Sequence, residues 1–314
     1  MVSNDDILFS RVLVTGANGL LGQALVRILS TDPRYDVLAT AKDQAFFAPD
    51  VSCGYIPLDI TDSARIRRVF EDFSPGVVVN CAAMTQVDLC ETERERCWKV
   101  NVDAVETLAR QCRAFGARLV QLSTDFVFDG EAGPYRETDR PAPVNFYGRS
   151  KLASENVSRE AGEDRWAVVR TILVFGTEER LSRSNILLWV AGELSAGRTI
   201  RVVTDQYRSP TYNVDLASGI ERLIRRQGTG VFHLSGTELM SVYEFARTIA
   251  TTYDLDVELV QPTDSSRFTQ PAPRPRRTGF DTARAISELG YHPRSVIEAL
   301  RHAGPRLSIP HPDA

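Results

Sequence analysis

Arg11-Val-Leu-Val-Thr15, followed at once by Gly16-Ala-Asn-Gly19-Leu-Leu-Gly22, decides the fold. The first five residues are a short β-branched run, and Leu20, Leu21, Ala24, Leu25, Ile28 and Leu29 then recur at helical spacing. A glycine cluster between a strand and an amphipathic helix is the signature of a dinucleotide-binding loop. Gly16 allows the tight turn, Gly19 lets the backbone approach a pyrophosphate, and Gly22 lets helix and sheet pack closely. The free N–H groups at the helix start suit a phosphate. Asn18, Leu20 and Leu21 share the loop and are candidate cofactor contacts.

Working outward, the same alternation repeats. Asp36–Thr40 and Tyr55–Leu58 read as strands, the second at a sheet edge because of Pro57. Asp62 is a natural N-cap for a helix through Ile66, Val69 and Phe70. Gly76–Asn80 is a continuous apolar run of the kind covered on both faces. A long helix is expected from about Glu91 to Phe115, then a strand at Arg118–Leu122. Trp166–Arg170 and Gly230–Leu234 look like further strands, and Val242–Tyr253 is an amphipathic helix. Gln261–Arg277, rich in proline and arginine, reads as a loop. This predicts an α/β fold, a Rossmann-type doubly wound parallel sheet with a smaller C-terminal substrate-binding domain. Residues 1–176 and about 211–236 would form the dinucleotide-binding domain, and about 177–210 and 237–314 the second domain.

Composition excludes several classes. The chain has 314 residues, 37 Lys plus Arg and 41 Asp plus Glu, for a net charge of −4. A mildly acidic surface does not attract polyanions, so neither nucleic acid nor an acidic membrane is expected as a partner. Apolar runs are too short to span a bilayer, and Met1–Asp6 has no basic n-region of a secretory signal. Cys53, Cys81, Cys90, Cys97 and Cys112 include no CxxC pair and read as reduced thiols, which places the protein in the cytoplasm. His233, His292, His302 and His311 have no ligand spacing, so no metal site is expected.

Tyr147-Gly-Arg-Ser-Lys151 carries the chemistry. On a helix, positions i and i+4 share a face, so the phenol and the ammonium can act on one point. A nearby ammonium favours phenolate, and a phenol so tuned can protonate a carbonyl oxygen as hydride reaches the carbon. Asn145 is the expected N-cap of that helix, and Thr124, ending the preceding strand, is the expected hydroxyl partner for the substrate oxygen. For the cofactor, Lys42 favours the 2′-phosphate of NADP, whereas Asp43 would suit the free hydroxyl of NAD. NADP is slightly preferred.

The GxxGxxG spacing together with Tyr147 and Lys151 resembles the extended short-chain dehydrogenase/reductase superfamily. The resemblance implies that Asp59 and Ile60 lie near adenine and that Cys81, Ala82 and Ala83, in Asn80-Cys-Ala-Ala83, lie along the cofactor. It also implies cofactor contacts for Tyr147 and Lys151. Sugar-nucleotide 4,6-dehydratases of this branch carry Thr-Asp-Glu. Here the segment is Thr124-Asp125-Phe126, and phenylalanine cannot move the proton that expels water. Ser123–Gly130 instead resembles the STDYVFDG segment of dTDP-4-dehydrorhamnose reductases. Asn80–Asp88, Pro143–Glu155, Arg170–Gly176, Val203–Thr211 and Arg274–Asp281 agree in the same order, so the likeness covers nearly the whole chain.

That likeness implies NAD(P)H-dependent reduction of the 4-keto group of a nucleotide-linked deoxysugar, with Thr124, Tyr147 and Lys151 as catalytic residues. It implies a sugar pocket lined by Val87, Asp88, Thr124, Asp125 and Phe126, and Arg208 is a candidate for the nucleotide phosphates. Without a ligand, Val87 would be core packing, Asp88 a helix cap with Glu91 completing a capping box, and Arg208 a solvated loop charge. Three positions depart from the family. Phe126 replaces a tyrosine, Leu173 a tryptophan, and Ala24 a glutamate that in some members helps hold magnesium at a dimer contact. A homodimer remains compatible with the likeness. Two alternatives share these motifs: an NADP-binding regulatory subunit resembling the β-subunit of methionine adenosyltransferase, and a sugar-nucleotide 4-epimerase.

Overall fold

The computed structural model describes residues 10–44, 51–181, 183–268 and 270–304. The signal reading of Met1–Asp6, and His311, lie outside the described residues. Seven strands form one parallel sheet: β1 (Ser10–Thr15), β2 (Tyr35–Ala41), β3 (Gly54–Pro57), β4 (Val77–Asn80), β5 (Arg118–Thr124), β6 (Trp166–Thr171) and β7 (Gly230–His233). Their order is β7-β6-β5-β4-β1-β2-β3. The order turns back between β1 and β4, and a crevice outside the carboxyl ends of the strands at such a point is where ligands bind in this architecture. β3, with Pro57, is the edge strand expected from the sequence.

Strand alternation distributes the core to both faces. Val12 and Val14 join Leu25, Leu29, Ile220 and Leu223 on one side, and Leu13 and Val78 join Phe70, Leu108 and Leu119 on the other. The first side is covered by α1 (Leu20–Ser30) and the helix Asn213–Arg225. The second is covered by α2 (Ser63–Phe73), whose N-cap Asp62 accepts from the Arg65 N–H at 3.0 Å as expected, and by the helix Ala104–Phe115. A separate apolar cluster forms around Phe175, Leu187, Val190, Phe245, Ile249 and Leu300. Among the described residues no helix is long and apolar enough to cross a membrane, and all five cysteines are free thiols.

Two expectations are corrected. The single helix from Glu91 to Phe115 is instead α3 (Val87–Thr92), α4 (Arg94–Trp98), a π-helical turn over Lys99–Asp103 and α5 (Ala104–Phe115). The chain leaves helical geometry at Glu93 (φ −112°, ψ 56°). The wide turn carries Asn101 inward, where its amide accepts from Met84 N at 2.8 Å and donates to Met84 O and Ser150 Oγ at 3.0 Å. Gln261–Arg277 is not wholly loop. Val260–Thr263 pairs in parallel with Ile200–Val203, and Pro262 is tolerated because a two-stranded sheet leaves one side of each strand without ladder bonds.

Asn80 ends β4 inside the sheet rather than at a solvated turn. It is fully buried, accepts from Thr15 Oγ1 at 2.5 Å and donates to Gln121 Oε1 at 2.8 Å. These bonds tie the carboxyl ends of β1, β4 and β5 together. Asn80→Ala orphans both neighbours, and each buried unsatisfied group costs about 1–3 kcal/mol. Urea unfolding should therefore show a stability loss of about 2–4 kcal/mol at unchanged m value.

Candidate active site

A cavity of about 1020 Å³ opens along the carboxyl ends of the sheet strands. One part is the glycine loop. Gly16 sits at φ +64°, and a Cβ there would lie 2.6 Å from Ala82 N, so only glycine fits between β1 and the end of β4. A Cβ at Gly22 would lie 2.4 Å from Gly16 O; this glycine lets α1 press on the loop itself. Gly19 caps α1 with no side-chain bond, which leaves the first-turn N–H groups for an anion. The expected contacts Gly16, Gly19, Leu20, Leu21, Gly22, Lys42, Asp59, Ile60, Cys81, Ala82 and Ala83 all line this cavity. Asn18 does not; its amide donates to Gln44 O at 2.8 Å.

Lys42 and Asp59 form an ion pair at 3.2 Å. Burial pushes the Asp59 carboxyl up, but bonds from the Thr61 N–H and hydroxyl and from Lys42 outweigh it and hold it below its ordinary value. Burial raises the Cys81 thiol to about 12, so this cavity cysteine is a neutral thiol near neutral pH.

The second part of the cavity is built by α6 (Phe146–Ser158), whose expected N-cap Asn145 accepts from the Gly148 N–H at 2.8 Å. Tyr147, Lys151, Thr124, Asp125 and Phe126 all line the cavity. Tyr147 is buried among Met84, Cys90 and Cys97, with Phe126 edge-on to its ring at 5.9 Å. Burial holds its phenol above the ordinary value against a hydrogen bond with Thr124 that pulls it down, and the charge of Asp125 pushes it up as well. Burial lowers Lys151 to about 8, opposed by Glu155. Glu155 is itself pinned in a buried pair with Arg170, at 2.7 Å and 2.8 Å, and accepts from Ser123 Oγ at 2.5 Å. Burial is the largest influence on the phenol in the unliganded protein.

Thr124 ends β5; its hydroxyl donates to Asp125 Oδ1 at 3.0 Å and accepts from the Phe126 N–H at 3.2 Å. Arg208 is not a solvated loop charge. It is buried; its guanidinium donates to the carbonyls of Tyr207 (2.7 Å), Arg276 (3.2 Å) and Pro275 (2.7 Å), with Nε 3.5 Å from Asp125 Oδ2. These bonds fix it in the wall of the cavity, which it lines. Val87 and Asp88 do not line the cavity. Val87 packs against the cluster around Tyr147. Asp88 is no cap, since Gln86 precedes α3 and Glu91 accepts from the Phe146 N–H at 2.9 Å. It pairs instead with both Nη atoms of Arg274, at 2.6 and 2.7 Å, and that pair holds its carboxyl below the ordinary range.

Sequence reasoning did not assign Gly148, Arg274 or Thr278 a role. A Cβ on Gly148 would sit 2.1 Å from Phe126 O, so the glycine sets how closely α6 approaches the Thr124 turn. Arg274 lines the cavity, and the Thr278 hydroxyl donates to Asp125 Oδ2. Arg274 and Thr278 lie in Arg274–Asp281, and that agreement was the only signal for them.

A parallel sheet ordered 3-2-1-4-5-6-7, with a glycine-loop cavity at its turning point, defines a Rossmann-type dinucleotide-binding protein. The family description "RmlD substrate binding domain" matches residues 10–308, and the chain belongs to that family, the dTDP-4-dehydrorhamnose reductases. It is 36% identical to a dTDP-4-dehydrorhamnose reductase of Streptomyces griseus over 93% of this chain and 90% of that one. It is 32% identical to methionine adenosyltransferase 2 subunit beta of Bos taurus over 91% and 84%. It superposes with TM-score 0.83 and 32% identity on the dTDP-4-dehydrorhamnose reductase of Bacillus anthracis in complex with NADP, covering 95% and 99%.

Gly148→Ala should force α6 off the Phe126 carbonyl, at a cost of about 1–3 kcal/mol for overpacking. Thermal unfolding should show that loss, and the 125–127 turn and Tyr147 should separate in a crystal structure of the variant.

Proposed function

We propose that this protein reduces the 4-keto group of a nucleotide-linked deoxysugar, as in dTDP-L-rhamnose biosynthesis, using NADP in preference to NAD. The observation that carries this reading is the presence of Tyr147, Lys151 and Thr124 on the same cavity as the glycine loop. The Streptomyces and Bacillus relatives, named for this reduction, support it. So does Phe126, which cannot carry the proton transfers of a dehydratase.

Residues of this chain fit a dinucleotide. The strained Gly16 turn and the uncapped start of α1 would cradle its pyrophosphate. Lys42 would meet a 2′-phosphate by exchanging its pairing with Asp59. When bound, the dinucleotide supplies the hydride. Tyr147 gives its proton to the keto oxygen. Thr124 shares a hydrogen bond with Tyr147 that favours the phenolate, and Lys151, one turn along α6, would add positive charge that eases proton loss. Arg183, Arg208 and Arg274 all line the cavity and are the candidates for the sugar's diphosphate. In this reading residues 1–176 and about 211–236 bind the dinucleotide, the remaining segments bind the sugar nucleotide, and the enzyme works in the cytoplasm.

The likeness to the methionine adenosyltransferase subunit favours a second reading, a regulatory NADP-binding role. A panel of 4-keto sugar nucleotides with NADPH separates the two. Tyr147→Phe keeps the ring and removes the acid, so turnover should fall by roughly 10²–10⁴-fold. Turnover near the wild-type rate would overturn the assignment of Tyr147, and a wild type that binds NADPH but reduces no member of the panel would favour the regulatory reading. Lys42→Ala removes an exposed charge contact worth about 1 kcal/mol. NADPH affinity should fall about fivefold with NADH little changed; equal effects would refute the role of Lys42.

A further inference from the structure

Asp88 and Arg274 are 186 positions apart in the chain and meet beside the cavity. Arg274 Nη1 donates to Asp88 Oδ1 at 2.6 Å, and Nη2 donates to Oδ2 at 2.7 Å. Nη1 gives its second proton to Ala272 O at 2.6 Å, and the Ala272 N–H donates to Asp88 Oδ1 at 3.2 Å. A guanidinium has five N–H donors in a fixed fork. Three are taken by these bonds. The two left, one on Nε and one on Nη2, form the side edge of the fork, and neither has a partner among the described residues. Two parallel N–H groups of this kind match a phosphate bidentately. Arg274 lines the cavity, whereas Asp88 does not.

The bonds around this pair lead to the Tyr147 end of the cavity. Pro273, the preceding residue, accepts from the Asn145 amide at 2.8 Å, and Asn145 caps the helix that carries Tyr147. One turn along α3 from Asp88, Glu91 accepts from the Phe146 N–H at 2.9 Å. α3 therefore holds the start of α6 with one carboxylate and Arg274 with the other. Arg208 lines the same cavity. Burial holds its guanidinium below the ordinary value; Asp125 opposes this, and the charge of Arg274 adds to it. Two guanidinium groups that feel each other at one wall favour an anion there. An anion beside Tyr147, away from the glycine loop, belongs to the molecule being reduced.

We propose that Asp88 is a positioning residue: by occupying one edge of Arg274 it leaves the other edge set as a fork for the diphosphate of a nucleotide-linked sugar. This rests on the reading of the substrate as a sugar nucleotide.

Charge alone argues the opposite. A carboxylate near a diphosphate repels it, so a residue acting only through its field would weaken anion binding, and removing its charge would strengthen it. A residue that acts by holding Arg274 gives the reverse sign. Asp88→Asn separates the two. Asparagine keeps the size and an oxygen for the Ala272 N–H, but it presents an amide to Nη2, so the two-point grip on Arg274 is lost.

The test is calorimetric titration of dTDP, UDP, GDP and CDP into the full chain. The nucleotide that wild type binds tightest should bind Asp88→Asn roughly tenfold more weakly, the size of one charge-assisted hydrogen bond, with NADPH affinity unchanged. Unchanged or tighter binding overturns the proposal, as does a wild type that binds none of the four. Arg274→Lys keeps the charge and loses the fork, so its loss should be as large; should Asp88→Asn not fold, an unchanged affinity in Arg274→Lys overturns the proposal by itself. Adding Asp88→Asn to Arg274→Lys should weaken binding no further, and a second tenfold loss would mean that Asp88 acts by another route, against the proposal. In kinetics, KM for the sugar nucleotide should rise by a similar factor in Asp88→Asn while kcat changes far less. A wild type that binds a nucleoside diphosphate, loses it through Asp88→Asn and yet reduces no 4-keto sugar would refute the reductase reading alone.

Discussion

The approach of α6 to the Phe126 carbonyl oxygen governs this site, because the helix carries Tyr147 and Lys151 while the turn carries Thr124 and Asp125. A single methyl group at Gly148 would sit 2.1 Å from that oxygen. Helix and turn also have separate anchors. Asn145 caps the helix and also donates to Pro273 O at 2.8 Å, and the turn is bound through Asp125 to Thr278 and Arg208. Glycine lets these two anchored pieces meet closely enough for the phenol to reach the Thr124 hydroxyl.

The anchors share a second partner, the segment from Pro273 to Thr278. It receives the Asn145 amide, supplies carbonyls to Arg208, donates to Asp125 and places Arg274 against Asp88 at the cavity. The chain after the sheet therefore contributes to the site directly and is more than a cover. Buried polar groups of this kind are costly unless fully bonded, and here the donors and carbonyls match. Glycine alone permits the close approach at Gly148, the Thr278 hydroxyl reaches Asp125, and arginine offers the fork that Arg208 spreads over three carbonyls.

Much of this was legible beforehand. The β1 run, the glycine loop and the α1 periodicity gave the sheet and its crevice, since these depend on local spacing. Tyr147 and Lys151 were readable because one helical turn fixes their relation. Asp62 and Asn145 were readable as caps for the same reason. What escaped depends on contacts far apart in the chain. Nothing near Arg208 announces the carbonyls of Pro275 and Arg276, and nothing near Asp88 announces Arg274, so both were read from their neighbours alone. The break at Glu93 escaped because Glu91–Arg96 holds no glycine or proline to mark it, and the π turn reveals itself only in the inward bonds of Asn101.

The central claim is that hydride arrives at the sugar's C4 while a phenol supplies the proton to its oxygen. The most direct measurement uses NADPH carrying deuterium at the transferred position of its ring, incubated with a 4-keto deoxysugar nucleotide in ordinary water. The account predicts a product one mass unit heavier, with the deuterium at C4 and oxidised cofactor formed in equal amount. A product without deuterium, or a change of configuration with no net oxidation of cofactor, would contradict it.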